Sequence, residues 1–290
     1  MKVQKIKEYG EVNVKKQKKK SKKRLKWVKS LLVWLLFITA LVLLAISPAF
    51  NITGIKANGS RYYTEEQLIE ASNLTVGSNG FRLLGENVGS VKNISRFFML
   101  RFALAEEKIL KGHPYIKSVK VRFIPLSRGY IETVDRTPFA LVPYMGASLL
   151  VDEESYVVDT LQEAKDVKLP YIKGLEFEDF QLGQALKLKD ATMFSTAVRM
   201  MDVLRESDGN DGKNTSELLN YVDVGDLSKV RIFIDSRIVV NFGDVYNLSD
   251  EELLYRINFF KQIFTKNIKK EEKGTLDFSS GEKLNFIPDN

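Results

Sequence analysis

Residues 22–50 have the sequence KKRLKWVKSLLVWLLFITALVLLAISPAF, in which a basic segment passes directly into an uncharged one. The uncharged part, residues 30–50, is 21 residues long and contains 13 Leu, Ile, Val or Phe. As an α-helix it spans about 32 Å at 1.5 Å per residue, and the hydrocarbon core of a bilayer is about 30 Å thick. The sequence therefore predicts one transmembrane helix at residues 30–50.

A cleaved signal peptide is the alternative interpretation of this segment, with Ser47-Pro48-Ala49 as the small-residue cleavage site. The apolar run is longer than the roughly 7 to 15 residues of a signal-peptide core, and Pro48 falls inside the site. An uncleaved membrane anchor fits these residues better.

The positive charge of the chain lies almost entirely before this anchor. Residues 1–29 contain 13 of the 44 Lys and Arg but only two of the 37 Asp and Glu, so they carry +11 and the remaining residues carry −4. Basic residues next to a transmembrane helix stay on the cytoplasmic side. The topology signal consists of Lys22, Lys23, Arg24, Lys26 and Lys29. We therefore expect a basic cytoplasmic tail at residues 1–29 and an extracytoplasmic part at residues 51–290.

Composition also excludes several classes of function. A mildly acidic body argues against a nucleic-acid-binding groove, although the net charge of the whole chain is +7. The chain has no cysteine and a single histidine, His113, at a predicted helix end. No phosphate-binding loop, nucleophile elbow or metal-ligand spacing is present. We expect no enzymatic activity, no cofactor, no metal site and no small-molecule substrate.

The first hundred residues after the anchor alternate between strand and helix patterns. Residues 74–90 are rich in Gly, Asn and Ser and predict a loop. The broad apolar face of the second predicted helix favours burial against a sheet, with a membrane-surface helix as the alternative. The predicted order is a strand at 50–57, a helix at 65–72, a helix at about 92–110, and strands at 116–124 and 129–134.

This order behind a single anchor resembles the POTRA domain of the FtsQ/DivIB cell-division proteins. Residues 112–121, GHPYIKSVKV, are similar to the family's P-x-I-x-x-V-x-V entry to a strand. Residues 134–140, VDRTPFA, resemble its junction motif, with Asp135 as the acid. The resemblance implies a POTRA domain of β-α-α-β-β order at residues 51–137.

Residues 138–290 resemble the family's β domain. Residues 149–158 predict a hairpin with Ser155 in the turn, and residues 169–174, LPYIKG, match L-P-x-I-x-G. The acidic triplet Asp152, Glu153 and Glu154 is interpreted as a solvated turn rather than a carboxylate or metal site. A helix at 190–206, a mobile loop at 207–216, strands at 221–224, 230–234 and 238–242, and a helix capped by Ser249 and ending near residue 267 follow. The predicted fold class is α+β, with one transmembrane helix, a POTRA domain and a mixed β-rich domain with flanking helices.

The C-terminal residues 277–281, DFSSG, resemble the family's final strand, D-aromatic-x-S-G, with an aromatic residue five positions later. In that family a small bitopic partner, FtsB or its relative DivIC, adds a strand to this sheet edge. An unpaired edge offers backbone N–H and C=O groups to an extended segment. The resemblance assigns Phe278, Ser280, Gly281 and Phe286 to the partner-binding surface, and burial of both Phe in the core is the alternative.

The resemblance implies a non-catalytic divisome scaffold at the cell membrane, enriched at the division septum, that helps regulate septal peptidoglycan synthesis. Its expected partners are DivIC/FtsB-like and FtsL-like bitopic division proteins. Two alternatives from other classes remain. One is a membrane-anchored cell-wall enzyme using Asp152 and Glu153, and the other is a POTRA-bearing export chaperone.

Overall fold

The first described helix has the length and composition of a membrane anchor. A computed structural model describes residues 26–86, 94–126, 128–211, 214–278 and 284–289. In these ranges one helix, α1 at Lys26–Ala45, is long and apolar enough to cross a membrane, and none of its side chains is buried. The helix ends five residues before the predicted end, because Pro48–Phe50 form a separate 3-10 turn. Proline has no N–H to continue an α-helix, which explains the difference.

One compact unit comprises the described residues up to Asn58 together with Glu65–Glu106 and Lys120–Glu132. Its three-stranded sheet has the order β1-β3-β2, and β1 is parallel to β3. Every second residue of β2 is buried through its central part, as expected for a strand with one face on a core. The elements that begin in this part of the chain are β1 Ile55–Asn58, α2 Glu65–Ser72, α3 Gly80–Glu86, α4 Ile94–Phe98, α5 Ala103–Gly112, β2 Ile116–Ile124 and β3 Arg128–Asp135.

The loop predicted at residues 74–90 is partly wrong, because α3 lies within it. The Asn79 side-chain oxygen accepts the Arg82 N–H at 3.0 Å, so this residue satisfies a free donor at the helix start. Leu84 is 1% exposed and anchors the helix in the core. A single buried leucine and a capping asparagine outweigh the loop-like composition around them.

The single helix predicted at about residues 92–110 is divided into α4 and α5. Leu100 lies between them with a φ of 54°. The Phe102 N–H donates to the Val121 C=O at 2.8 Å, and the Phe123 N–H donates to the Leu100 C=O at 2.7 Å. Pairing with the side of β2 therefore replaces helical hydrogen bonds at this point.

The second compact unit comprises Gly59–Thr64, Glu107–Val119 and Thr133 to the end of the chain. Its nine-stranded mixed sheet has the order β12-β11-β10-β9-β8-β7-β4-β5-β6. The β5–β6 hairpin turns at Ser155, whose φ of 64° places it in the left-handed region where glycine is usual. The remaining elements are β4 Ala140–Tyr144, β5 Ala147–Val151, β6 Val157–Leu161, β7 Tyr171–Lys173, α6 Ala191–Asp211, β8 Leu219–Asp223, β9 Val230–Ile234, β10 Ile238–Gly243, α7 Asp250–Lys266, β11 Gly274–Asp277 and β12 Asn285–Pro288.

Helices α6 and α7 build the core of this unit together with the sheet. Ala197, Met200 and Leu204 of α6 and Ile257 and Phe260 of α7 are completely buried in one cluster with strand residues. The predicted capping box is confirmed, since the Ser249 side chain accepts the Glu252 N–H and Glu252 accepts the Ser249 N–H. The predicted fold class is confirmed: an α+β protein with one N-terminal apolar helix and a large sheet.

A buried ion pair joins α6 to α7 where the sequence predicts the start of a mobile loop. That prediction is wrong for residues 207–211, which belong to α6. Lys261 is 1% exposed and donates to Asp208 Oδ1 at 2.7 Å and to Ser207 Oγ at 2.9 Å. Asp208 also accepts the N–H groups of Thr215 and Ser216 at 3.0 and 2.6 Å. The carboxylate thus holds the two chain segments on either side of residues 212 and 213.

Candidate partner-binding edge

The C-terminal motif is divided between two strands. Strand β11 ends just before Phe278 and pairs with β10 in parallel, while β12 pairs with β11 in antiparallel fashion and lies at the end of the sheet. Phe286 belongs to β12, and Ser280 and Gly281 lie outside the described residues. The edge of the sheet is therefore β12, and β11 has a neighbour on both sides.

Phe278 is a core residue in the structure. Its side chain is 2% exposed and stacks on Phe242 with ring centroids 5.4 Å apart. Its N–H donates to the Asn241 C=O at 2.9 Å, which continues the pairing with β10. The structure thus places Phe278 in the core, which is the alternative given for it, and its part in partner binding stays a prediction.

The outward backbone groups of β12 follow from its register. The Asp289 N–H donates to the Lys273 C=O at 3.0 Å, so the backbone groups of residues 285, 287 and 289 turn towards β11. In an antiparallel pair the intervening residues turn the other way. Phe286 therefore presents its N–H and C=O outward, and Pro288 presents a C=O only. This edge offers one donor and two acceptors to an extended segment.

The side chains of β12 alternate between the two faces of the sheet. Phe286 is opposite Leu276 and packs against the core cluster. Ile287 is opposite Thr275 on the other face and is 55% exposed. Beside the end of β11, a cavity of about 250 Å³ is lined by Phe278, Tyr255, Arg256, Glu251 and Glu252. A strand added at β12 would thus find an apolar side chain on either face.

Gly274 allows β12 to approach β11. A Cβ at this position would overlap the Ile287 carbonyl oxygen and lie 2.9 Å from Phe286 Cε2 and 3.0 Å from Pro288 Cα. Two of these three neighbours are backbone atoms, which cannot rotate away as a side chain can. The absence of a side chain at residue 274 is therefore a condition for the edge strand to pair.

An apolar row crosses the sheet on the face opposite α6 and α7, and the sequence reasoning did not find it. Strand registers place its members next to one another, and Tyr221 and Phe233 stack with centroids 5.1 Å apart. Each member is a single outward residue in its own strand, so no local pattern joins them. The row consists of Tyr171, Tyr221, Phe233, Val239, Thr275 and Ile287.

The opposite end of the nine-stranded sheet is covered. The Val157 N–H of β6 donates to the Gln184 C=O at 3.0 Å, and the Gly183 N–H donates to the Val157 C=O at 2.7 Å. A protein commonly blunts an edge strand by covering it with another segment. Among the described residues, β12 is thus the end of this sheet that no segment of the chain pairs along.

The acidic triplet of the β5–β6 turn is a structural ion pair rather than a solvated turn, so that prediction is wrong for Asp152. Asp152 is 4% exposed, accepts from Arg136 Nη1 at 2.5 Å and accepts the N–H groups of Glu154 and Tyr156. A hydrogen bond from the Lys117 ammonium lowers the pKa of Glu154. Burial and three hydrogen bonds give Asp152 a structural role. No group of three metal-ligating side chains occurs in the described ranges.

A backbone hydrogen bond joins residues 112–121 to residues 134–140, the two segments that resemble FtsQ/DivIB motifs. The Arg136 N–H donates to the Tyr115 C=O at 2.7 Å. The Tyr115 ring stacks on Tyr62 with centroids 4.1 Å apart, and its hydroxyl donates to Asp159 at 2.9 Å. His113 is half-buried after the end of α5, with Nδ1 3.1 Å from the Ile109 C=O, as a helix-end residue. These motifs have a packing role here.

The charged flank of the anchor is described in part. Lys26 and Lys29 lie in the first described turn of α1, and Lys22, Lys23 and Arg24 lie outside the described residues. Cations at this end of an apolar helix are consistent with a topology signal.

Comparison with known proteins adds two relatives, whereas no family model matches the chain. The chain is 25% identical over 262 residues to the cell division protein DivIB of Clostridium botulinum strain Hall, which covers 90% of both chains. It is 26% identical over 267 residues to the cell division protein DivIB of C. botulinum strain Loch Maree, again over 90% of both. The similarity thus extends over nine tenths of the chain and reaches into both compact units.

Proposed function

We propose that the chain is a member of the FtsQ/DivIB family of cell-division proteins and acts as a non-catalytic scaffold of the division complex, which its similarity to two DivIB proteins supports. It promotes assembly of that complex and helps regulate septal peptidoglycan synthesis. Its partners are DivIC/FtsB-like and FtsL-like bitopic proteins, of which the first binds along β12. We place the POTRA domain at residues 51–137 and the β domain at residues 138–290.

The observation that carries this proposal is the free side of β12. Its outward groups are the N–H and C=O of Phe286 and the C=O of Pro288, and a β-strand of a partner can pair with them. Alternate side chains of the added strand would continue the apolar row beyond Ile287 on one face and pack beside Phe286 on the other. We therefore expect the partner strand to carry apolar residues at two adjacent positions, one for each face of the sheet.

The same proposal places residues 51–290 outside the cytoplasm, and the chain offers a direct test of this orientation. It has no cysteine, and Met145 is 90% exposed. A Met145→Cys variant should react with a membrane-impermeant maleimide in intact cells. A Ser21→Cys variant in the basic tail should react only after lysis. Labelling of position 21 in intact cells, with position 145 protected, would reverse the orientation.

The location in the cell separates the scaffold from the two alternatives. A fluorescent protein fused to the N-terminus should form a band at midcell in dividing cells, because the scaffold binds septal partners. An export chaperone should instead be distributed around the membrane and bind unfolded polypeptides. Fluorescence that stays uniform around the membrane throughout division would contradict the proposal.

The enzyme alternative is tested on the full chain in detergent. If Asp152 and Glu153 were catalytic, peptidoglycan or its lipid-linked precursors would be turned over, and Glu153→Gln would remove the turnover. We expect no turnover of either substrate. The Asp152 carboxylate accepts hydrogen bonds from Arg136 and from two N–H groups, which is a structural role.

A further inference from the structure

A second surface of the β-rich unit, away from the β12 strand, is a groove along α6. We call it the α6 groove. Its floor is formed by Leu188, Phe194, Val198 and Val203, and its volume is about 550 Å³. The α6 residues in it recur every three or four positions from Ala191 to Glu206, so they form one stripe along the helix. Phe194 and Val203 belong to the same core cluster as Ala197, Met200 and Leu204, so the floor is the outer edge of that core. The half-buried Leu188 and Val198 give it exposed apolar surface.

The rim of the α6 groove is acidic. Five carboxylates line it, and they are Glu153, Glu154, Asp202, Glu206 and Asp250. Four of them have side chains between 50% and 78% exposed. Exposed carboxylates around a concave surface favour a partner of opposite charge.

The cations near the rim do not balance these carboxylates. Arg199 lies 2.6 Å from Asp250, and Lys117 lies 2.7 Å from Glu154. Arg205 is shared between Asp202 at 3.4 Å and Glu153 at 4.0 Å. Arg136 lies 3.4 Å from Glu154 and is also paired with Asp152 at 2.5 Å. Counted with Asp152, four cations face six carboxylates, so these described side chains leave an excess of two negative charges around the groove.

We propose that the α6 groove binds a basic amphipathic helix of a partner protein. A helix with an apolar stripe can rest on Leu188 and Val198 and on the outer edges of Phe194 and Val203, and Lys or Arg on its flanks can reach the rim. The groove follows α6 for about 15 residues, or roughly 22 Å, which is the length of a four-turn helix. Charge complementarity makes association with a cationic partner faster and disfavours an acidic one.

The test uses the full chain in zwitterionic lipid nanodiscs and three labelled synthetic peptides of equal length. The first is an amphipathic helix of Leu, Ala and Lys, the second has Glu in place of Lys, and the third is the Lys peptide in shuffled order. Binding is measured by fluorescence anisotropy at low and at physiological ionic strength, with empty nanodiscs as the background. We expect the Lys helix to bind at least about tenfold more tightly than either control peptide, and less tightly as salt is added.

A charge-reversal variant assigns the binding to the groove. Asp202→Lys with Glu206→Lys should weaken the Lys helix at least about tenfold and improve binding of the Glu helix. The matched control is Glu178→Lys with Glu271→Lys, two exposed acids outside the groove that change the net charge equally. Circular dichroism melting curves should be the same for both variants, because all four side chains are exposed.

Four outcomes would overturn the proposal. The first is equal weakening of binding by the groove variant and its control, and the second is equal binding of the Lys and Glu helices. Another is a doubled mass in sedimentation that the groove variant abolishes, since the occupant would then be a second copy. The last is tighter binding of the Lys helix to a chain that begins at Lys26, because the basic tail would then be the occupant.

Discussion

Replacing Gly274 by valine is expected to abolish binding of a DivIC/FtsB-like partner. The new side chain would overlap the Ile287 carbonyl oxygen and press on Pro288 Cα, so β12 cannot remain paired with β11. Backbone atoms cannot yield by changing rotamer, and the strand that offers its free edge must move. Because the proposed function has the partner pair with that edge, a loss of affinity of more than about tenfold is expected.

The measurement is co-purification of the full chain with the DivIC/FtsB-like protein of the same organism. Hydrogen exchange should show faster exchange in β11 and β12 and unchanged protection in β9 and β10. The matched control is Gly54→Val, because a Cβ at Gly54 has no neighbour within 4 Å. Co-purification that survives Gly274→Val while the exchange of β12 increases would show that the partner does not use this strand.

Phe278 is a poor position for a test of partner binding, because its side chain is buried. A charge at a side chain that is 2% exposed would enter the core beside Phe242, and the unit would unfold for reasons unrelated to the partner. Gly274 and the exposed Ile287 change the edge without placing a charge in the core.

Replacing Asp208 by alanine is expected to destabilise the β-rich unit by about 3 to 5 kcal/mol. The change leaves the Lys261 ammonium buried without its carboxylate, and it frees the N–H groups of Thr215 and Ser216. Adding Lys261→Met should recover part of the loss, because an apolar side chain has no desolvation penalty there. Recovery should be incomplete, since the two N–H groups stay unpaired.

Urea unfolding of the full chain in detergent, followed by far-ultraviolet circular dichroism, measures this effect. Tryptophan fluorescence would not report it, because the two tryptophans, Trp27 and Trp34, lie in α1. Hydrogen exchange of residues 215–218 gives a local readout. A Lys261→Met chain less stable than Asp208→Ala would contradict the view that the unpaired ammonium is the main cost.

Acid should remove the difference between the native chain and Asp208→Ala. Burial raises the pKa of Asp208, but hydrogen bonds from Lys261, Ser216 and Thr215 outweigh it and hold the pKa below its usual value. A carboxyl whose pKa is lower in the folded state stabilises the protein above its unfolded pKa, near 4. That stabilisation is lost as the pH falls through the folded pKa, so the two unfolding curves should converge there.

Local sequence patterns predicted the elements that depend on their own residues. The strands at 116–124 and 128–135 and the capped helix after Ser249 follow the expected alternation and capping signals. The predictions at residues 74–90 and 92–110 were wrong where a distant contact decided the conformation. Pairing of residues 100–102 with β2 breaks a helix whose own residues favour it, and no window around Leu100 contains that information.

The candidate site divides in the same way. The sequence placed an edge near the C-terminus and selected Phe286, which lies on it. It could not distinguish Phe286 from Phe278, since both follow the same alternation and only the position of Phe242 and α7 buries the second. The apolar row is built from single residues of several strands, so it has no local sequence signature.

The sequence by itself determined that this protein has a membrane anchor with a basic flank, because an uncharged run of spanning length needs no tertiary contact to partition into lipid. It also indicated a resemblance to the FtsQ/DivIB family, through short strings in the expected order along the chain. Only the tertiary structure decided which strand ends the sheet and which phenylalanine is buried. Those properties depend on which distant residues meet, and hydrophobic burial and strand pairing settle that for the whole fold at once.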